Sequence, residues 1–240
     1  MRGIIGAVGA LLVFASSLPA HAASVVLNSG SVGSSFSVDF TGQVGGVSTT
    51  QLSALLNVTL NGVSGDGRTY TFGYDLTNDS IANSRIRGFG FDVDGGSLSG
   101  AGVTGAFVSA QRPGFFPDLP GGSGGRDVCF AATTNGNGCT GGQGGVTKGQ
   151  TGSGTFTLTF NGASPAPSSI YLDLFLVRYQ SISPSINGGD SGIGIGRLIP
   201  PPPPPVPEPA TWLMMIIGFF AVGSIMRQRK TGESALPALQ

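Results

Sequence analysis

Residues 155–160 read Thr-Phe-Thr-Leu-Thr-Phe, and this alternation of polar and apolar residues returns along most of the chain. A period of two places the apolar side chains on one face of a β-strand and the polar ones on the other. Residues 170–179 are apolar on both faces, which predicts a central strand. The other alternating stretches have these apolar members: Phe36, Val38 and Phe40; Leu52, Ala54, Leu56, Val58 and Leu60; Tyr70, Phe72, Tyr74 and Leu76; Phe89, Phe91 and Val93.

About nine or ten such strands predict one antiparallel all-β domain over residues 23–199. We expect a β-sandwich, with a jelly-roll-like topology as one option and with the Ser and Thr faces toward solvent. A β-solenoid is the alternative, although no fixed repeat length appears. Residues 113–154 are rich in glycine, and the sequence predicts that they form long loops of this domain.

The composition limits the classes of partner. The chain has 240 residues, of which only 10% are charged, and its 12 basic residues balance its 12 acidic ones. An average soluble domain carries about 25% charged residues. No basic excess therefore points to nucleic acid, and we expect no nucleic-acid partner.

The N-terminus has the order of a secretory signal peptide. Arg2 precedes an apolar run that ends near Leu18, and Ala20 and Ala22 form a small-x-small cleavage site. We predict that signal peptidase removes residues 1–22. A retained membrane anchor is the alternative, but the apolar run is short for one.

The C-terminus predicts a spacer followed by a membrane helix. Residues 200–206 are almost all proline, which favours a stiff polyproline II segment. Residues 210–226 carry no charge and would span roughly 25 Å as a helix, just enough for a bilayer core. We expect the domain to lie outside the membrane and residues 231–240 to form a cytoplasmic extension. A buried core helix is the alternative.

The residues flanking this apolar segment fit its ends. Pro209 suits a first helical position, and Glu208 would face the positive end of the helix dipole. Trp212 falls where interfacial aromatic residues lie, and a basic cluster follows on the predicted cytoplasmic side. The basic members are Arg227, Arg229 and Lys230.

The order Val206-Pro207-Glu208-Pro209-Ala210-Thr211-Trp212, then an apolar helix, then basic residues, resembles the PEP-CTERM sorting signal of the PEPxxWA type. The resemblance covers residues 207–230. It implies an exosortase substrate that is exported, held briefly in the inner membrane, cut near the motif and released to the cell surface or medium. Leu213 stands where the family usually has alanine, and the extension after Lys230 is longer than usual.

The domain itself resembles the cistern family of PEP-CTERM proteins. The resembling stretches are distributed along most of the length of residues 23–199, and the family has no established biochemical activity. They are residues 26–42, 88–94, 127–139, 154–162 and 175–182.

Cys129 and Cys139 are the only two cysteines, and an exported protein with one close pair predicts a disulfide. The chain-entropy model gives a contribution of about 3 kcal/mol for a loop of this length. Metal or redox use would need further ligands or a Cys-x-x-Cys spacing.

The sequence predicts a protein that is not an enzyme. The only histidine, His21, lies in the predicted signal peptide, so histidine-based triads are excluded from the mature protein. Both glutamates lie outside the domain, and its one lysine, Lys148, lies in a glycine-rich segment. We expect no cofactor.

Asp92 and Asp94 are the best metal candidates. At strand spacing their carboxylates share a face, where they could bind a hard cation such as calcium. Two solvated aspartates before a Gly-Gly turn are the simpler interpretation. Asp118 and Asp127 could complete a site, but the sequence does not place them.

The sequence thus predicts an exported surface or matrix protein that associates with exopolysaccharide. The alternative is a carbohydrate-binding module, with or without calcium. In that module, Asp92, Asp94 and the loop with Phe115 and Phe116 would hold the glycan. Those two aromatic side chains could instead pack the loop onto the domain.

Overall fold

The computed structural model describes residues 24–117, 124–134, 139, 143–162, 165–200 and 209–231. The predicted signal peptide, with Ala20 and Ala22, lies outside these residues, and so do most of the polyproline spacer and nearly all of the C-terminal extension. Pro207, Glu208 and Asp118 are also outside them. The chain divides into two units, residues 1–199 and residues 200–240, which are described separately.

The described part of the first unit consists of β-strands and one short 3-10 helix, Ser29–Ser31. The strands in chain order are β1 Val25–Leu27, β2 Ser35–Val44, β3 Val47–Val63, β4 Thr69–Thr77, β5 Asn83–Asp94, β6 Leu98–Gly105, β7 Ser109–Gln111, β8 Gly114–Phe116, β9 Gly124–Arg126, β10 Val128–Ala131, β11 Val146–Thr147, β12 Thr151–Phe160, β13 Ile170–Ser183 and β14 Ser191–Leu198.

Ten of these strands form one continuous antiparallel sheet. Their order is β6-β12-β4-β3-β2-β14-β13-β5-β10-β7, with β1 added to β13 and β11 added to β5. Strands β8 and β9 form a separate two-stranded sheet. The prediction of an antiparallel all-β domain is confirmed.

The sheet curls until its two edge strands nearly meet. Arg112, just after β7, donates guanidinium hydrogen bonds to the carbonyls of Leu98 and Ser99 on β6. The sequence predicted two packed sheets, and the structure instead has one nearly closed sheet. Both arrangements bury every second residue of each strand, so hydrophobic alternation does not distinguish them.

The core is the inside of this curled sheet, and the apolar members of the alternating stretches point into it. Phe36 alone among them is only partly buried. A cluster of contacting aromatic rings fills the middle of the core. Its members are Phe72, Tyr74, Phe89, Phe91, Phe107, Phe130, Phe156 and Phe175.

Strand β13 is the central strand that the sequence predicted. It pairs with β14 on one side and with β5 on the other, and its residues from Phe175 to Tyr179 are all buried. The ladder to β5 is interrupted between Asp173 and Leu176. Leu174 lies in this bulge with a φ of 48°, and its side chain is exposed.

The described residues of the glycine-rich segment 113–154 include several strands, where the sequence predicted loops. It supplies the β8–β9 hairpin, β11 and the start of β12, and β10 joins the main sheet between β5 and β7. Strand β10 has four residues, all of them buried, so no alternation marks it in the sequence.

The second unit contains one helix, α1, from Pro209 to Thr231. Its described side chains, residues 212–227, are exposed, including Trp212 and Arg227. The side chains of Pro209, Arg229 and Lys230 lie outside the described set. Within the part of the chain that the structure describes, no helix is long and apolar enough to cross a bilayer.

Candidate functional site

Cys129 and Cys139 form the predicted disulfide. Their Cα atoms are 6.0 Å apart, and both side chains are fully buried. They pack with Phe116 and Leu176 in a small cluster beside the main core. The bridge therefore anchors the glycine-rich segment onto the outer face of the sheet.

Two glycines of β5 make room for this cluster. A Cβ on Gly88 would lie 2.8 Å from the Sγ of Cys139, and a Cβ on Gly90 would lie 2.7 Å from the Phe116 ring. Because Phe89 and Phe91 point inward, Gly88 and Gly90 face outward and let the cystine and Phe116 lie flat on the strand. Phe116 is fully buried there, whereas Phe115 is 42% exposed.

Asp92 lies on the outer face of β5, where its carboxylate accepts a hydrogen bond from the segment between β9 and β10. The backbone N–H of Asp127 donates to Asp92 Oδ1 at 3.0 Å, and the N–H of Val93 donates to Asp127 Oδ2 at 2.9 Å. This reciprocal pair fixes the segment between β9 and β10 against β5. Asp127, which the sequence could not place, is thus beside Asp92.

Arg126 supplies the positive charge of this group. Its NH1 lies 3.9 Å from Asp92 Oδ2, and its Nε donates to the carbonyl of Leu174 at 2.8 Å. Asp173 is the direct partner of Asp92 across β5 and β13, and exposed Asp94 follows two residues later on the same face. The charge of Arg126 therefore acts on Asp92 and on Asp173, of which Asp92 is within ion-pair distance.

Burial raises the pKa of Asp92, and the hydrogen bond from Asp127 together with the charge of Arg126 offsets part of that rise. Burial, followed by the charge of Asp94, also raises the pKa of Asp173. Among the described residues, no group of three or more metal-ligating side chains has an arrangement that could hold an ion. Calcium binding at Asp92 and Asp94 stays a prediction.

Exchanging Asp92 for asparagine is expected to flatten the dependence of stability on pH. A raised native pKa means that the native state holds the proton more tightly than the unfolded state. The contribution of Asp92 is then fully present below its ordinary value of 3.8 and is lost as pH rises through the higher native pKa. Asparagine keeps the acceptor for the Asp127 N–H, so stability at pH 7 should stay within about 1 kcal/mol of wild type.

The measurement is urea unfolding of both proteins at several pH values from about 3 to 7. Asp190→Asn, which removes an exposed carboxylate between β13 and β14, controls for the loss of one negative charge. The assignment would be contradicted if the free energy of unfolding of Asp92→Asn depended on pH as that of wild type does, once the change seen in Asp190→Asn is subtracted.

The outer face of five neighbouring strands forms a second feature, which we call the outer platform. Across β2, β3, β4, β12 and β6 the backbone register aligns Ser35, Thr59, Gly73, Thr155 and Thr104 in one row. Hydroxyl groups bond at 2.7 Å between Ser35 and Thr59 and at 2.8 Å between Thr155 and Thr104.

The platform continues in rows on both sides of this one. Ser37 donates to Asn57 at 2.6 Å, Thr77 and Thr151 bond at 2.8 Å, and Thr71 is opposite Thr157. Its side chains are short and mostly uncharged, and Leu55 is an apolar exception. The prediction that Ser and Thr faces point to solvent is confirmed.

No protein-family model, no curated protein and no solved structure matches this chain.

Proposed function

We propose that this protein is exported and works outside the cell as a non-enzymatic surface or matrix protein that associates with exopolysaccharide. The observation that carries the proposal is the buried Cys129–Cys139 disulfide. Structural disulfides persist in oxidising compartments outside the cytoplasm and are rare inside it. The bridge joins β10 to Cys139 in a buried cluster, and a bridge of this kind is expected in such a compartment.

The outer platform supports a role in a hydrated polymer matrix. It presents rows of hydroxyl and amide groups across five strands, and these groups can exchange hydrogen bonds with water or with sugar hydroxyls. Asp39 and Asp75 are its charged members, and Asp75 already accepts a hydrogen bond from Ser153. A surface of this kind favours many weak contacts over one reactive centre.

The two ends support the proposed route. In the proposal, signal peptidase cuts after Ala22, and an exosortase acts near Pro207, Glu208 and Pro209. The sole histidine is then lost with the signal peptide, which supports the non-enzymatic assignment. The sorting role rests on the sequence of the tail, not on its structure.

The test is the intact mass of the protein recovered separately from membranes and from medium, in a host with a working exosortase. We expect loss of both ends, and a gain of about 2 Da on reduction as two hydrogens are added. Glu208→Gln is the matched variant for the sorting step and is expected to keep its tail.

A wild-type mass that retains residues 210–240 in that host would overturn the sorting part of the proposal. A mass that retains residues 1–22 in the cytoplasmic fraction would overturn export itself. These two outcomes are separate, because each end is read from the same spectrum by its own mass difference.

The second candidate function is a carbohydrate-binding module centred on Asp92, Asp94 and Phe115. It is favoured by the exposure of the Phe115 ring on β8, because exposed aromatic rings provide flat contact surfaces. Phe115 pairs with Gly125, the neighbour of Arg126, so the ring lies close in register to the acidic group. The binding assay below includes a Phe115 variant for this reason.

A further inference from the structure

A cleft with polar and apolar walls lies where the start of β5, the turn after β11 and the end of β13 come together. It has two adjoining lobes of about 290 Å³ and 330 Å³, which share Asn83 and Lys148 as walls. Gln51 and Ser183 line the first lobe, and Arg85 lines the second. Lobes of this size are at the lower end of known ligand sites, which hold roughly 300–1,000 Å³.

Two cations face this cleft, and their described partners are neutral. Lys148 Nζ donates to the carbonyl of Ile81, and Arg85 NH1 lies 3.4 Å from the carbonyl of Gly144. Among the described residues the ion pair within 4 Å is that of Arg126 with Asp92, on another part of the sheet. The described lining contains no carboxylate, so both positive charges are available to a ligand.

Neutral hydrogen-bonding groups complete the second lobe, whereas Ile81, Pro184 and Ile186 are apolar walls of the first. Asn83, Thr147 and Ser181 supply an amide and two hydroxyls beside the two cations. Ser181 has a φ of 55°, a backbone conformation that residues with a side chain rarely adopt and that is concentrated at binding sites. It lies where the ladder between β13 and β5 shifts register, between Gln180 and Ser183, and it lines the second lobe.

We propose that this cleft binds the carboxylate groups of an acidic polysaccharide, a site that rests on the proposed function and defines its ligand class. Arg85 presents a planar fork that matches a carboxylate, and Lys148 adds a second charge within the same cleft. Asn83, Thr147 and Ser181 bond the neighbouring sugar hydroxyls. Neutral glycans lack the group that the two cations recognise.

The net charge of the whole domain does not favour the binding of a polyanion. Residues 23–199 contain 8 basic and 10 acidic side chains, a net charge of 8 − 10 = −2. A domain of this charge repels a polyanion at long range. Binding to a polyanion therefore requires a local site.

The experiment measures binding of the protein recovered from the medium to immobilised polygalacturonate and to dextran, a neutral polysaccharide. We expect wild type to bind polygalacturonate, to bind dextran at least tenfold more weakly and to lose affinity as salt increases. Arg85→Gln and Lys148→Gln should each weaken binding to polygalacturonate about tenfold. Arg85→Lys keeps the charge without the fork, so its affinity should be intermediate.

Arg197→Gln is the matched control, because Arg197 is an exposed arginine toward the other end of β14. It should leave binding within twofold of wild type, and so should Phe115→Ala. Equal losses for Arg85→Gln and Arg197→Gln would overturn the cleft in favour of general charge attraction. A loss confined to Phe115→Ala would overturn it in favour of the second candidate site.

The failure of this proposal is distinguishable from failure of the proposed function. Correctly processed protein in the medium that does not prefer polygalacturonate would refute the cleft and leave export standing. Unprocessed protein in the cytoplasm would refute export, whatever it binds. Thermal unfolding of each variant is the control for folding, and we expect the midpoints to stay close to that of wild type.

Discussion

Replacing Phe156 by alanine is expected to lower the free energy of unfolding by about 4 kcal/mol. The Phe156 ring stacks on Phe72 with centroids 4.6 Å apart, and its centroid lies 4.9 Å from that of Phe130. It also contacts Phe91 at 5.7 Å, so it joins rings from three other strands across the inside of the curled sheet. Alanine would leave a cavity that neighbours on fixed strands can fill only in part.

Urea unfolding followed by tyrosine fluorescence and by circular dichroism measures this change. Phe156→Leu keeps most of the volume and should cost less than half as much. Thr155→Ala, on the outer platform one residue earlier, should change stability by no more than about 0.5 kcal/mol. A loss below about 1.5 kcal/mol for Phe156→Ala would show that the core is packed more loosely than the ring distances indicate.

Replacing Gly90 by valine is the second change with a large expected effect, about 3 to 4 kcal/mol. A Cβ at this position would lie 2.4 Å from the carbonyl oxygen of Val128 and 2.7 Å from the Phe116 ring. One contact is with backbone and the other with a fully buried ring. Moving the Val128 carbonyl separates β10 from β5, and moving the Phe116 ring takes it away from the Cys129–Cys139 bridge that it packs against, so the bridge would become accessible.

Two measurements test this expectation. The midpoint of urea unfolding should fall, and the disulfide should be reduced faster by dithiothreitol because it becomes accessible. Gly62→Val in β3 is the matched control, since nothing lies within 4 Å of a Cβ there. An unchanged reduction rate in Gly90→Val would mean that β10 does not depend on this glycine for its place.

The alternating strands illustrate what sequence reasoning could reach. Leu52, Ala54, Leu56, Val58 and Leu60 were expected on one face of a strand, and all five are buried in β3. The central position of β13 followed from apolar residues on both faces, and β13 does have strands on each side. Both inferences rest on the local period of the chain, which burial of one face fixes.

Features that depend on long-range pairing were not predicted. Strand β10 has too few residues to show a period, so its place in the main sheet was missed. Gly88 and Gly90 stand out in the sequence, but only the position of the cystine and Phe116 shows why they have no side chain. Asp127 accepts a hydrogen bond from the N–H of Val93, the neighbour of Asp92, but it lies 34 positions further along the chain. The sequence therefore could not place it beside Asp92.

The candidate cleft is likewise a product of the tertiary structure. Arg85 and Lys148 are far apart in the chain, and Lys148 appeared in the sequence only as a lone cation in a glycine-rich segment. Pairing of β11 with β5 brings Thr147 opposite Arg85, and Lys148 follows at once. The sequence had pointed to carboxylates as the ligand-binding groups, and the structure draws attention to cations instead.

By itself, the sequence determined that the domain is all-β, which side chains of its strands point inward or outward, and that the two cysteines pair. The strands and their faces follow from the period of the side chains, and the disulfide follows because each cysteine has a single possible partner. Only the tertiary structure decided that the strands form one nearly closed sheet, that serine and threonine side chains align across five strands, and that Arg85 and Lys148 share a cleft. The physical reason is that strand order and register are set by hydrogen bonds and packing between residues distant in the chain, for which local alternation carries no information.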